Sequence, residues 1–283
     1  MPAIFAGVVF VSLSAILVRI STAPALTIAF YRMLFSVGML LPFALRSGFR
    51  GIGTRDAWLT VASGVFLGIH FAAWISSIQH TSVAHSTVLV TMHPVLVVTI
   101  ESVRRRRLPE AKVLLAVAVS LIGAIVLSTG GSSGGVPVTA YGDALAVLGA
   151  VAVTGYILLG RHVRARVPAG TYNFVVYAVA ALVLLPPALV RNEVFGSWTV
   201  QDYGVFLSLA FFCTLLGHSV LNWSLRFVPA AFVSMSILME PVFASVLAFL
   251  VFREQPGVVS LAGAVLVIAG LAVLHEKRDS GKP

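Results

Sequence analysis

Apolar residues run along this chain in long blocks interrupted by short polar breaks. The blocks cover residues 2–20, 26–46, 56–77, 83–102, 111–129, 139–160, 171–190, 202–224, 229–250 and 256–275. A helix needs roughly 20 mostly apolar residues to cross a hydrocarbon core about 30 Å thick. The pattern therefore predicts an all-α polytopic membrane protein with ten transmembrane helices. Most breaks are only a few residues long, so neighbouring spans form antiparallel hairpins. The longest, 130–138 (Gly-Gly-Ser-Ser-Gly-Gly-Val-Pro-Val), reads as a flexible linker.

Composition removes the main alternative. The chain is 59% hydrophobic and 10% charged, and its mean hydropathy is +1.01. A soluble domain carries roughly 25% charged residues to face water, so most of this surface must face lipid. Ala23-Pro24-Ala25 imitates a signal-peptidase site. The stretch before it has no Lys or Arg in an n-region and a long apolar run, so it is expected to remain as the first span. The single cysteine, Cys213, lies in an apolar run and reads as a small buried residue.

Lysine and arginine orient the spans. With a cytoplasmic N-terminus, fifteen of them fall inside: Arg46, Arg50, Arg55, Arg104, Arg105, Arg106, Arg107, Lys112, Arg161, Arg164, Arg166, Arg226, Lys277, Arg278 and Lys282. Only Arg19, Arg191 and Arg253 fall outside, and Arg32 lies within the second span. Positive charge is retained on the cytoplasmic side, so both termini are expected in the cytoplasm of a bacterium, with the spans in its inner membrane. The net charge of +9 is then a topology signal and implies no nucleic-acid partner.

The spans also repeat. Met92-His93-Pro94-Val95 returns as Met239-Glu240-Pro241-Val242, 147 residues on, and Gly123 returns at the same offset as Gly270. Leu40-Leu41-Pro42-Phe43-Ala44-Leu45 matches Leu184-Leu185-Pro186-Pro187-Ala188-Leu189 at 144, and Gly7 to Arg19 matches Gly149 to Arg161 at 142. Five spans per copy is odd, so the second copy is expected to cross the membrane in the opposite sense. The division is a first repeat over 1–130, a linker over 131–138, an inverted repeat over 139–275 and a cytoplasmic tail over 276–283. Two inverted repeats permit mirror-related packings, each open to one side, around a site near the midplane.

At this point the chain resembles the EamA-type transporters of the drug/metabolite transporter superfamily. The resemblance rests on Met239-Glu240-Pro241-Val242-Phe243-Ala244-Ser245, continuing to Phe252-Arg253-Glu254, and on the Gly-rich run from Gly263 to Gly270. The first copy departs from this pattern: His93 stands for the Glu, and Arg107 stands where Glu254 predicts an acid. Length and span number resemble the bacterial YddG-type amino acid exporters within that family. The resemblance implies cytoplasmic termini, a central cavity lined by helices 1–4 and 6–9, and peripheral helices 5 and 10.

Polar residues inside the spans point to a cavity without the resemblance. An ionisable group at the bilayer centre costs on the order of 2.5–3.5 kcal/mol on insertion scales, so it should face a cavity or a partner. Spans 5 and 10 hold only Ser120, Ser128, Thr129 and Ser260, whereas spans 3, 4, 8 and 9 hold His70, Trp74, His85, His93, His218, Asn222, Trp223 and Glu240. His70 and Trp74 share a helix face, and Thr214, His218, Asn222 and Arg226 form a second stripe at four-residue spacing. Either the stripes line an aqueous cavity, or they make interhelical hydrogen bonds worth about 0.6–2 kcal/mol each.

Tyr156, beside Thr154 in span 6, faces the same choice. Glu240 is a candidate for a substrate ammonium or a coupling ion, or else orders the kink at Pro241. Pro94 and Pro241 each remove a backbone donor in mid-span and are candidate hinges. Arg32 is expected to snorkel or to form a structural pair, and Glu101 to pair with Arg104 or Arg105 at the surface. Gly64 and Gly68 are expected to let two helices of the bundle approach closely.

His85 and His93 are eight residues apart with no further carboxylate or Cys ligands beside them, so no metal site is expected. There is no nucleotide or cofactor motif and no catalytic constellation. The sequence thus predicts a secondary transporter that exports small metabolites, most readily aromatic or other neutral amino acids, by alternating access. A drug or lipid flippase of the same superfamily is the alternative, and an intramembrane enzyme the alternative from another class. Its partners are a small-molecule substrate and membrane lipids, and it is expected to be a monomer or weak homo-oligomer.

Overall fold

The computed structural model describes residues 2–47, 52–81, 83–129, 139–253 and 257–275. The linker over 131–138 and the tail over 276–283 lie outside them, as do Glu254 and the side chain of His85. The described elements are α1 (Pro2–Ile20), α2 (Ala25–Ser47), α3 (Thr54–His80), α4 (Val83–Val90), α5 (His93–Arg105), α6 (Ala111–Thr129), α7 (Ala140–Arg164), α8 (Ala169–Val190) and α9 (Val200–Ser208). A π-helix (Leu209–His218) runs on into α10 (Ser219–Ser224), and α11 (Ala230–Ser236) passes through a 3-10 turn (Ile237–Met239) into α12 (Glu240–Phe252), before α13 (Val258–His275). No strand occurs among the described residues.

Eight of the resulting rods are long and apolar enough to cross a membrane, and α6 and α13 are shorter apolar helices. The ten predicted spans are these ten rods. Three of them are broken or rewound. Pro94 and Pro241 sit in the first turns of α5 and α12, where a missing N–H leaves no helical bond unmade. The fourth and ninth spans therefore break just before these prolines, at the Thr91–Met92 turn and at the 3-10 turn. Both C-terminal halves end on an arginine in the left-handed region, Arg106 (φ 51°) and Arg253 (φ 58°). The eighth span holds the π-helix. Thr214 Oγ1 donates to Leu209 O five residues back (3.1 Å), so the four-residue stripe expected from Thr214 to Arg226 does not hold in this segment.

Contacts between rods come in exchangeable pairs. α3 packs on α7 as α1 packs on the π-helix, and α4 and α5 meet α7 as α12 meets α1. α2 packs on α8, and α6 on α13. Close approach is bought with glycine at particular points. A Cβ on Gly64 would stand 2.6 Å from Val179 Cβ and 2.8 Å from Val176 O, and one on Gly68 2.9 Å from Val183 Cβ. These two glycines therefore seat α3 directly on α8. α6 and α13 turn Leu114, Leu115, Ile122, Ile125, Leu261, Val265 and Ile268 outward, as a lipid-facing pair would.

Chain order alternates the two ends of the bundle. One end gathers Asp56 and the C-terminal residues of α5, α7 and α10. The other gathers the α1–α2 and α8–α9 loops.

Candidate functional site

Six spans converge on a cavity of about 40 Å³. α1 contributes Val11 and Ser14; α3 contributes His70, Phe71 and Trp74; and the break before α5 contributes Val90, Thr91 and His93. α7 adds Val153, the end of the π-helix adds His218, and the break before α12 adds Ile237 and Glu240. These are spans 1, 3, 4, 6, 8 and 9, a set unchanged when the two halves are exchanged. It is narrower than the eight-helix lining the resemblance implies, because α2 and α8 stand back in this conformation. One water takes up about 10–15 Å³ of such space, so the cavity has room for a few waters.

The imidazoles are fixed by backbone carbonyls. His70 Nδ1 lies 2.9 Å from Gly149 O and His93 Nδ1 3.1 Å from Val90 O. A carbonyl only accepts, so each Nδ1 carries the hydrogen, and each neutral ring presents Nε2 as an acceptor. Trp74 stacks on His70 with ring centroids 6.1 Å apart and 3° between planes. His218 meets Phe71 edge-on at 5.6 Å. Two polar atoms in this wall, Trp74 Nε1 and His93 Nε2, are buried with no hydrogen-bond partner. One is a donor and the other an acceptor.

Arg32 lies behind the wall. Of the two expectations for it, snorkelling does not hold, because Arg32 is wholly buried. Its Nε donates to Thr214 Oγ1 (2.8 Å) and its Nη1 to Ser14 Oγ (3.0 Å), with the guanidinium 4.3 Å above the Phe71 ring. Local hydroxyls and a ring face hold the charge in the bundle, so it has no need to reach the interface. Nη2 has no partner among the described residues. Ser14, which holds Arg32, and Glu240 both line the cavity, so the buried cation and the acid of the Glu-Pro break belong to one wall, with no ion pair joining them among the described residues.

The structure brings together His70, Trp74, His93, His218 and Glu240. Tyr156 and Asn222 sit outside the lining. Tyr156 Oη donates to Asn222 Oδ1 (2.7 Å), and Asn222 Nδ2 donates to Asn173 Oδ1 (2.8 Å), forming a buried layer next to the cavity. Arg164 Nε donates to Asn222 O (3.2 Å), and Arg161 Nη1 to Leu225 O, tying α7 to the end of α10. Beyond this layer Asp56 accepts two bonds from Arg166, at 2.6 and 2.7 Å.

The opposite end is tied by another acid. Asp202 accepts from Ser21 Oγ (2.7 Å), from Thr22 N (2.9 Å) and from Thr199 Oγ1 (2.7 Å), the last within the capping box that starts α9. Thr27 Oγ1 donates to Glu193 O (2.6 Å) and Tyr31 Oη to Val194 O (3.1 Å). A carboxylate thus ties loops together at each end of the bundle.

Sequence reasoning located the histidines, Trp74 and Glu240 because each is polar in an apolar run. It missed Val11, Val90, Val153 and Ile237, which carry no such signal, and gave Ser14 and Phe71 no role. Among the described residues no group of three His, Cys, Asp or Glu is arranged to hold a metal.

A lipid-faced bundle with a small central cavity at two broken helices, lined by histidines and a glutamate, has the architecture expected of a membrane transporter. A model of the EamA-like transporter family matches residues 1–129 and 140–275, and the chain belongs to that family. It is a multi-pass membrane transporter and not an enzyme. An uncharacterized transporter of Archaeoglobus fulgidus is 24% identical over 96% of this chain and 94% of its own. A protein of Pseudomonas aeruginosa named pseudopaline exporter CntI is 26% identical over 98% of this chain and 95% of its own. A crystal structure with 17% identity superposes with a TM-score of 0.78 over 96% of this chain and 95% of that one.

Proposed function

We propose that the protein exports a small metabolite of amino-acid type, bearing both amino and carboxylate groups, across the bacterial inner membrane by alternating access. The observation that carries this reading is the presence of an unpartnered donor, Trp74 Nε1, and an unpartnered acceptor, His93 Nε2, on residues lining a cavity that also holds Glu240. A buried polar group left unpaired costs roughly 1–3 kcal/mol. A zwitterion relieves both deficits at once, with carboxylate oxygens accepting from Trp74 and an ammonium donating to His93 and Glu240. A hydrocarbon-like drug or lipid tail relieves neither.

In this reading the repeats 1–130 and 139–275 rock about the Pro94 and Pro241 breaks, and the cavity widens as one end parts. Both termini and the arginine-rich end face the cytoplasm, in keeping with the charge bias. The outward direction is supported by the relative named for pseudopaline export. Energy comes from gradients of the solute or of a coupled ion.

Purified protein in liposomes, loaded with one amino acid and challenged with the labelled form of the same one, tests this. Counterflow without ATP is expected for at least one of the twenty common amino acids. Absence of counterflow for all twenty overturns the reading.

A further inference from the structure

At the end of the bundle that carries Asp56, a second and larger cavity of about 370 Å³ opens between the ends of α5, α7 and α10. Its wall holds Arg104, Arg105, Arg161, Arg166 and Arg226, with Glu101 as its one carboxylate. Glu101 lies 3.9 Å from Arg105, and Asp56, just outside, holds Arg166 at 2.6 Å. Arg161 is spent on the Leu225 carbonyl, which leaves its charge uncompensated. Arg104 and Arg226 have no carboxylate partner among the described residues. The wall thus keeps an excess of three positive charges over the two acids.

Retention of positive charge on the cytoplasmic side explains how many basic residues this end carries. It does not explain why five line one concavity, and each is an arginine, the side chain whose planar fork binds a carboxylate through two parallel bonds. The position of the concavity is the second observation. Three helices run from it to the central cavity, with Glu101 eight residues from His93, Arg161 eight from Val153, and Arg226 eight from His218. At 1.5 Å per helical residue the separations along α5 and α7 are about 12 Å. The Tyr156–Asn222–Asn173 layer joins α7, α10 and α8 beside this course. The arginine-lined space stands at the end of three spans that also line the central cavity, the place of an antechamber.

We propose that this antechamber collects the transported solute, and that the solute is a small amino acid derivative with at least two carboxylates and a net negative charge. The inference rests on the exporter reading above and narrows its substrate. A cleft lined by one sign of charge raises the local concentration of its counter-ion by roughly 10–10³ and attracts it across solvent. The central cavity sets the second requirement. Glu240 and imidazoles line it, so an anion passing through needs an amino group to present there. A plain phosphate ester would meet Glu240 with nothing to offer it.

An anionic lipid head group shares the carboxylate's charge and must be separated from it by experiment. Wild type and the double variant Arg104→Gln/Arg226→Gln are reconstituted in phosphatidylcholine alone and in phosphatidylcholine with phosphatidylglycerol. Counterflow is measured for glutamate against glutamine and aspartate against asparagine, at low and high salt, with the remaining common amino acids run alongside. The expected result is a KM for each acid about tenfold below that of its amide. In the double variant, and in wild type at high salt, that ratio falls toward one in both lipid mixtures. Arg191→Gln, at the opposite end, leaves the ratio as it is.

Counterflow confined to neutral amino acids, or acid-to-amide ratios that ignore the double variant, overturns the antechamber's role and leaves the exporter reading standing. An effect of the variant seen only with phosphatidylglycerol assigns the arginines to lipid head groups and overturns the proposal. No counterflow of any amino acid overturns both.

Discussion

Asp56 and Asp202 stand 146 residues apart in the first turns of α3 and α9, and each fastens the helical hairpin loop that approaches it from the other half of the chain. Asp56 holds Arg166, between α7 and α8, and Asp202 holds Ser21 and Thr22, between α1 and α2. The two acids occupy equivalent places in spans 3 and 8 and tie loops together at opposite ends of the bundle. A protein that opens one end at a time must release one latch while the other stays made.

Removing each latch should therefore bias the protein in opposite directions. With Val153→Cys as a reporter in the cavity wall and Cys213→Ala as background, an impermeant maleimide is applied to either face of sealed vesicles. Asp56→Ala should raise labelling from the arginine-rich side, and Asp202→Ala from the other. The Asp202 effect should be the larger, roughly tenfold or more, because its carboxylate is buried and accepts several hydrogen bonds, each worth about 1.5–3 kcal/mol when one partner is charged. The Asp56–Arg166 pair is exposed on the arginine side and screened by solvent. If both variants shift labelling toward the same face, the acids are not opposed latches.

Trp74→Phe separates the site from the scaffold. Phenylalanine keeps an aromatic ring against His70 and deletes a buried N–H that has no partner among the described residues. Thermal stability without substrate should hold or rise, since an unsatisfied donor has been removed. KM for the transported solute should rise about two- to tenfold, the equivalent of one hydrogen bond of about 0.5–1.5 kcal/mol. A fall in stability together with an unchanged KM would place the indole nitrogen outside the binding surface.

These two sets of residues differ in how far the sequence announced them. His70, Trp74, His93 and Glu240 stand out because an apolar run makes any polar residue conspicuous, and His93 and Glu240 also precede the two repeated prolines. The ten spans were legible for the same reason, since their signal is local. Asp56 and Asp202 lie at the ends of apolar runs, where an acid is unremarkable. Their meaning depends on Arg166 and Ser21, 110 and 181 residues away, and on which hairpins meet. Arg32 was legible as a residue but not in its role, because Ser14, Phe71 and Thr214 come from three other spans. The π-helix has no sequence signature here, and spacing alone left Asn222 open between cavity wall and interhelical hydrogen bonds, a choice that depends on Tyr156 and Asn173 from two other spans. The arginines of α5, α7 and α10 were counted for orientation, but a count does not show that they share one concavity.

Gly64 should be intolerant of any side chain. A Cβ there meets Val179 Cβ at 2.6 Å and the Val176 carbonyl at 2.8 Å, and backbone cannot swing aside as a side chain can. Gly64→Ala should force α3 and α8 apart and lower stability by about 1–3 kcal/mol, read as thermal unfolding in detergent. Gly38→Ala, whose Cβ would meet nothing within 4 Å, is the neutral control. Because the contact lies within one chain, the oligomeric state on size exclusion should be the same for both variants. A change of oligomer with Gly64→Ala and no change in stability would move this glycine to an interface between chains.

Arg32 and Glu240 provide the sharpest test of whether the cavity's charges form a unit. Arg32→Met leaves Ser14 and Thr214 without their donor, in a buried wall that Glu240 shares. A buried polar group left unpaired costs roughly 1–3 kcal/mol, and a buried carboxylate with no cation near it costs more than a neutral amide in its place. Arg32→Met should therefore lower the unfolding temperature markedly, and adding Glu240→Gln should recover a substantial part of the loss. Glu240→Gln alone should keep the fold, since Arg32 retains its two hydroxyl acceptors and the Phe71 ring. It should nevertheless weaken counterflow of the amino-bearing solute, because an amide no longer attracts an ammonium by charge. The cycle of the two single variants and the double variant, measured by thermal unfolding, gives the coupling directly. Strict additivity would show that Glu240 answers to the solute alone and that Arg32 is held only by its hydroxyls and ring.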